Sequence, residues 1–425
     1  MNKPGSKSFG RFLIIWSGQL ISSIGSGLTA FTLGVYAFEK TQSATVFSLI
    51  ILFAFLPSYL LKPIGGALAD RFDRRLMMII GDLGSALGLV FILLMFLAGN
   101  YGMWVIYLGV AVSSSFDAMH NPAYKASVTD LVDEKIYTKA SGLMQLADSS
   151  RFLISPVIAG FLIQFLAIEQ ILIIDITTFL IALILVFCVK KRVITAGINR
   201  HSESFIAGFV CGFKYTFSHK VIVGLLLITS AISFSVGFLQ SLMGPMILAF
   251  SDAKTLGIVL SASSSGMISS SFLIGIFGKT TKKVKILSIA LAFAGLFYAL
   301  FGTSTNIHFL IASGFLFFSA LPFVNTSLDV LIRKNVDNQM QGRVWSIVSL
   351  ISQLGLVVAF STAGLLADTV VNPLLEPGGL LSPTVGRILG TDPGRGIGLM
   401  FILSGIFMTG ISSLVWKSKS LRKLE

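Results

Sequence analysis

The sequence predicts an all-α polytopic membrane protein of twelve transmembrane helices in two six-helix halves, and three observations carry that expectation. Apolar stretches of about 20 residues, each long enough to cross roughly 30 Å of hydrocarbon, recur from end to end. Only 12% of the residues are charged and the mean hydropathy is +0.87, whereas a soluble chain carries about a quarter charged residues to build its polar skin. The apolar runs are continuous rather than alternating, which excludes a membrane β-barrel.

The first span, 12–37, follows Lys3, Lys7 and Arg11 like the start of a signal sequence. It is too long for one and another span follows at once, so it reads as an uncleaved helix. The second (45–69) and third (76–98) flank a short charged turn, and the fourth (104–126), fifth (140–166) and sixth (168–189) complete a first half over residues 1–189. Residues 190–220 form the longest polar connection, and its second part carries Phe205, Phe209, Phe213 and Phe217 four residues apart. That stripe fits either a helix lying along the membrane surface or an extension of the seventh span. The second half, 221–425, holds spans at 221–247, 255–277, 285–304, 306–330, 344–369 and 397–416. The eighth is rich in serine (Ser261, Ser263, Ser264, Ser265, Ser269, Ser270, Ser271), which suits a wet path or small-residue packing. Between the last two spans, residues 370–396 are so dense in Pro and Gly that a long helix is excluded, leaving a lid or a surface loop.

The net charge of +13 raises the question of a nucleic-acid partner. With the N-terminus inside, the cytoplasmic segments hold about 25 of the 32 Lys and Arg and the exterior loops about 4. The excess is therefore a topology signal, and no nucleic-acid partner is expected. Both termini are placed in the cytoplasm, on a bacterial-type inner membrane. Cys188 and Cys211 fall near the cytoplasmic side, where a disulfide is disfavoured, and no spacing suggests a metal. Matching positions recur at a constant offset in the two halves, with Pro122, Ser127, Leu131 and Gly142 reappearing as Pro322, Ser327, Leu331 and Gly342. Gly66 followed by Arg74 and Arg75 is echoed by Gly275, Lys282 and Lys283, as internal duplication predicts.

The sharpest motif is the turn after the second span, Gly66 to Arg75, in which Asp70 and Asp73 interleave with Arg71, Arg74 and Arg75. Arginine forks can hold carboxylates and helix-end carbonyls together. Gly66 is expected to let a neighbouring helix approach closely. A charge cluster at a sliding helix boundary can form in one conformation and break in another, the part of a conformational switch. Topology alone explains three arginines but not the two aspartates.

Gly66, Leu68, Asp70, Arg71, Arg74 and Arg75 resemble the signature of the major facilitator superfamily between its second and third helices. Asp73, where Gly is commoner, is similar to the third drug:proton antiporter family, which includes macrolide efflux proteins. Trp16-Ser17-Gly18-Gln19, Phe55-Leu56-Pro57, His120-Asn121-Pro122-Ala123 and Gly342-Arg343-Val344 agree with that family. Two stretches depart from the antiporter pattern. The fourth span lacks a mid-helix arginine, and the fifth-helix motif reads Ser155-Pro156-Val157-Ile158-Ala159-Gly160 in place of Gly-Pro-x-x-Gly-Gly. The coupling charges must then lie elsewhere.

Ionised groups inside a span cost several kcal/mol unless paired or hydrated, so they usually face a bundle interior or a wet cavity. Lys62, Asp82, Asp117, Asp148, Arg151, Asp175 and Asp329 all fall within or at the edge of the predicted spans. Asp148 and Arg151 are spaced i, i+3 and share a helix face. The resemblance implies a cavity lined by helices one, two, four and five. Asp117 and Arg151, supported by Asp148, are accordingly the expected proton-coupling residues, with Gln19 as a polar substrate contact. Asp82 and Asp175 are equally open to a role as helix-packing pairs.

The resemblance implies a monomeric exporter of amphipathic drugs or secondary metabolites, macrolide-like, working by alternating access against inward proton flow. It needs no cofactor beyond the proton gradient, and its partners are a small amphipathic substrate and the bilayer. No GxxxxGK[ST] loop supports ATP coupling within this chain. An exporter of an endogenous siderophore or peptide is the alternative within the same fold. An integral-membrane enzyme is disfavoured because His120, His201, His219 and His308 are scattered with no HExxH. A receptor or assembly factor would have little use for acids inside its spans.

Overall fold

The computed structural model describes residues 9–189, 205–277, 282–337 and 340–418. They form α1 (Phe9–Thr41), α2 (Ala44–Arg71), α3 (Arg74–Leu97), α4 (Met103–Leu131), α5 (Tyr137–Leu153), α6 (Ser155–Leu162), α7 (Ile168–Cys188) and α8 (Phe205–Ser218). There follow α9 (Lys220–Leu248), α10 (Ala253–Phe277), α11 (Lys283–Phe301), α12 (Ile307–Asn335), α13 (Gln341–Leu366), α14 (Asn372–Leu375), α15 (Val385–Leu389) and α16 (Arg395–Lys417). Among the described residues, ten helices are long and apolar enough to cross a membrane. The fourth and fifth predicted spans are the two that miss this standard. The fourth, α4, carries Asp117, His120, Asn121 and Lys125 along its length.

The fifth corrects the sequence expectation of one helix over 140–166, because it is broken into α5 and α6 at Ile154. Pro156 cannot donate to the ladder, so the chain restarts with Pro156 in the first turn of α6. The hydroxyl of Ser155, just before it, donates to the Ile24 carbonyl of α1 at 2.9 Å. The eleventh span also differs. Its helix runs past 369 through a π turn (Ala367–Val371) into α14, and the Pro- and Gly-rich stretch turns only from Glu376 onward. The aromatic segment before the seventh span is a separate helix, since His219 between α8 and α9 is extended.

Inter-helix contacts divide the described residues into two compact units, one built on α1–α7 and one on α8–α16. Two short pieces cross over. Residues 42–48 at the start of α2 belong to the second unit, and residues 256–258 of α10 to the first. In the second unit, Asp368 caps that start of α2. Its carboxylate accepts from the Ser43 hydroxyl (2.6 Å), the Ala44 and Thr45 amides (3.1 and 2.9 Å) and the Thr45 hydroxyl (2.8 Å). A carboxylate against the unpaired amides of a helix start satisfies donors that nothing else in the helix can reach.

The first unit is held by close helix approaches. In the α3–α4 hairpin, a Cβ at Gly81 would press on His120, one at Gly84 on the Phe116 ring, and one at Gly88 on Gly109 and Ser113. Ser114 of α4 enters the turn that Pro57 opens in α2. Its hydroxyl donates to Ala54 O at 2.7 Å and accepts from Ser58 N at 3.2 Å, standing between two groups that would otherwise pair within the helix. In the second unit, the serines of α10 turn back on their own helix, with Ser264, Ser265, Ser269, Ser270 and Ser271 donating to carbonyls three or four residues earlier. The hydroxyl and Cβ of Ser263 occupy the space beside Gly314 of α12. Ser263 thus serves small-residue packing against α12.

Candidate functional site

Helices α1, α2, α3, α4, α5 and α7 enclose a cavity of about 370 Å3 in the first unit. From α1 come Gln19, Ser22, Ser23, Ser26 and Thr29; from α2, Lys62; from α3, Asp82 and Ser85. From α4 come Ser113, Asp117, His120, Asn121 and Lys125; from α5, Asp148 and Arg151; from α7, Asp175. Every intramembrane charge named from the sequence, except Asp329, lines this one space. Asp329 instead pairs with Arg333 at 2.9 Å, i to i+4 near the end of α12, with both side chains largely exposed.

The cavity acids have distinct partners. Asn121 donates to both oxygens of Asp117 at 3.2 and 3.1 Å, a fork closed within one turn of α4. Asp175 is fully buried, accepts from Thr178 at 3.2 Å, and lies so close to α1 that a Cβ at Gly25 would meet its Oδ1. Asp82 lies 3.4 Å from Nε2 of His120, both side chains 5% exposed. Asp148 and Arg151 line the cavity together, Asp148 half-buried and Arg151 exposed. Thus Asp82 and Asp175, which the sequence left open as packing residues, contribute to the same cavity as Asp117. His120 was missed as a site residue because it was read only as part of a motif. A further recess of about 280 Å3 in this unit, beside Tyr36 and Tyr101, contains none of the predicted site residues.

The motif at the α2–α3 turn is a bracket. Asp73 caps α3 by accepting from the amides of Arg75 and Leu76. Arg74 donates to Ala126 O and Asp130 Oδ2, both at 2.7 Å, at the end of α4. Arg75 donates to the carbonyls of Val186 (3.0 Å) and Phe187 (2.6 Å) at the end of α7, and its guanidinium lies 5.3 Å from the Phe187 ring centre. One turn therefore ties the ends of α4 and α7 to the start of α3. Asp130, unremarked in the sequence, is the carboxylate that Arg74 engages. Arg71 is exposed. The Asp70 side chain and linker residues 190–204 lie outside the described residues. Gly66 requires a correction, because a Cβ there would meet no described atom within 4 Å. Its neighbour Gly65 makes the close approach instead, against the Ala118 backbone of α4. The helix-five motif serves α1 in the same way. Ser155 fills the space beside Gly27, and Pro156 and Gly160 are buried with it.

Comparison with known proteins agrees with this architecture. The chain is 27% identical over 371 residues to macrolide efflux protein A of Streptococcus pyogenes, covering 85% of this chain and 90% of that protein. It is 26% identical over 322 residues to macrolide efflux protein A of Enterococcus faecalis, covering 74% of this chain and 99% of the relative. The crystal structure of the nucleoside transporter NupG matches the fold with a TM-score of 0.75 at 13% identity, covering 97% of this chain and all of that one. The model of the Major Facilitator Superfamily matches residues 15–360. An all-α membrane fold with charges gathered into one intramembrane cavity, and a family match across most of its length, make this chain a member of the Major Facilitator Superfamily.

Proposed function

We propose that the protein is a secondary active exporter of amphipathic drugs or secondary metabolites of the macrolide type, coupled to inward proton flow. The observation that carries this reading is the cavity in the first unit, where acids and cations from five helices share one space inside membrane-spanning segments. Such groups are costly to bury and are typical of proton and substrate pathways. Two relatives are named for macrolide efflux, which favours a bulky amphipathic cargo. Asp117 and Gln19 contact the substrate, and Asp117, Asp148 and Arg151 supply the charges whose pairing changes with protonation. The Arg74–Asp130 and Arg75–α7 bracket biases one conformation of an alternating-access cycle. The work is transport rather than catalysis, with a proton gradient in place of a cofactor. The positive-inside distribution favours both termini on the cytoplasmic side of a bacterial membrane.

The test is efflux of radiolabelled erythromycin from proteoliposomes under an imposed pH gradient. Uphill movement is expected from the unaltered chain and its loss from Asp117→Asn, with the protein still inserted. Undiminished uphill efflux in Asp117→Asn removes that residue from the mechanism. Exclusion of macrolides combined with transport of a siderophore or peptide favours the endogenous-product reading.

A further inference from the structure

We infer that Asp82 and His120 form a buried proton-binding pair that holds the coupled proton beside Asp117, an assignment that rests on the proton-coupled reading above. The two side chains face each other at 3.4 Å across the α3–α4 hairpin, each 5% exposed, with His120 Nε2 making no aligned hydrogen bond to any described residue. A carboxylate and an imidazole so placed can share one added proton, as carboxylate with imidazolium or as carboxylic acid with imidazole. Removal of that proton leaves carboxylate and neutral imidazole. One proton enters from water and one returns to water, so the pair alternates by one unit of charge. A group that alternates in this way inside hydrocarbon needs a wet route, and both residues line the cavity.

The geometry also fixes why the pair is here. Gly81 has no Cβ, and one would press on the Cβ, Cα and amide of His120. The missing atom lets α4 come near enough for His120 to reach Asp82. The Tyr124 ring, one turn on in α4, lies near-parallel to the imidazole, with ring centres 6.0 Å apart. Asp117 lies on the same face of α4, at i, i−3 from His120. The charged groups facing the pair are Lys62 from α2, Asp117 and Lys125 from α4, Asp148 and Arg151 from α5, and Asp175 from α7. α1 contributes no charged group to this wall. A cationic substrate at Asp117 therefore opposes protonation of the pair through space, and its departure favours it. Such competition is the coupling that exchange requires.

The experiment uses the full chain in proteoliposomes with radiolabelled erythromycin, comparing accumulation under a pH gradient with exchange at equal pH. For one coupled proton, a gradient of about one pH unit supports about tenfold accumulation. Asp82→Asn and His120→Gln are expected to lose that accumulation while retaining exchange. If the unaltered chain and both variants accumulate erythromycin equally, the pair is not the proton site and proton coupling stands without it. If the unaltered chain ignores the gradient, the coupling reading falls and takes this assignment with it. A second measurement covers variants that fail to fold. In the chain with His201, His219 and His308 replaced by Gln, His120 is the sole histidine, and its ring nitrogens can be followed by 15N NMR. A ring that titrates, with a midpoint displaced by erythromycin, supports the pair. A ring indifferent to pH and to erythromycin overturns it.

Discussion

Arg74 illustrates how much one side chain can join. A single nitrogen of its guanidinium, Nη1, reaches both a carbonyl and a carboxylate at the end of α4. Arg74→Ala is expected to lower stability by about 1.5–3 kcal/mol, the range for hydrogen bonds to charged groups. The measurement is thermal unfolding in detergent, and Arg74→Lys should recover only a fraction because the lysine ammonium falls one bond short of the position of Nη1. The presence of this cluster was legible in the sequence as acids and arginines packed into one turn. Its partners were not, because Asp130, Val186 and Phe187 come from helices that only the fold brings to that turn. The same limit applied to Asp82 and His120. Either residue alone is ambiguous, and they become a pair only once α3 and α4 are folded back about the turn near Asn100. There the hairpin matches each residue of α3 with the one about equally far beyond the turn. Gly81, Gly84 and Gly88, where α4 comes close, lie on one face of α3, but only the folded hairpin sets them against His120, Phe116 and Gly109.

Among helices, two adjacent glycines behave oppositely. Gly65→Ala would drive a methyl into the Ala118 backbone of α4, whereas Gly66→Ala meets open space. The first is expected to cost about 1–3 kcal/mol as an overpacking substitution and the second to leave the melting temperature nearly unchanged. Equal effects of the two would contradict the packing described for α2 and α4. The composition could not separate the two glycines, because a repeat of small residues shows that helices come close but not which rotation they adopt. Asp368 is another element-scale device. Asp368→Ala removes the acceptor of four donors at the start of α2 and is expected to cost about 2 kcal/mol, near the upper end for helix caps. Differential scanning fluorimetry of the purified variant is the check. Sequence reading overlooked this cap because 325 positions separate Ser43 from Asp368.

At the scale of the whole molecule, the membrane fold was legible because hydrocarbon imposes one rule on the entire chain, that each span satisfy its own backbone groups. The repeated positions also keep corresponding surroundings. Pro122 and Pro322 lie within helices of 29 residues each, and Ser127 with Ser327, and Leu131 with Leu331, are buried in both. What the rule could not supply was the interruption of the fifth span at Ile154, beside which the Ser155 hydroxyl bonds across to α1. The two spans that are least apolar, α4 and α5–α6, are also the two that bring Asp117, His120, Asp148 and Arg151 to the cavity. This bears on how the chain is made. During synthesis these segments leave the ribosome with polar groups whose partners on α3, α1 and α7 decide whether they prefer lipid to water. α3 precedes α4, and α1, which packs along both α5 and α6, precedes them, so each of these segments emerges with its main partner already made. Chains truncated just after Leu162 are therefore expected to integrate in a glycosylation-mapping assay, and Gly27→Leu, which would fill the space that Ser155 of α6 occupies, to impair that integration.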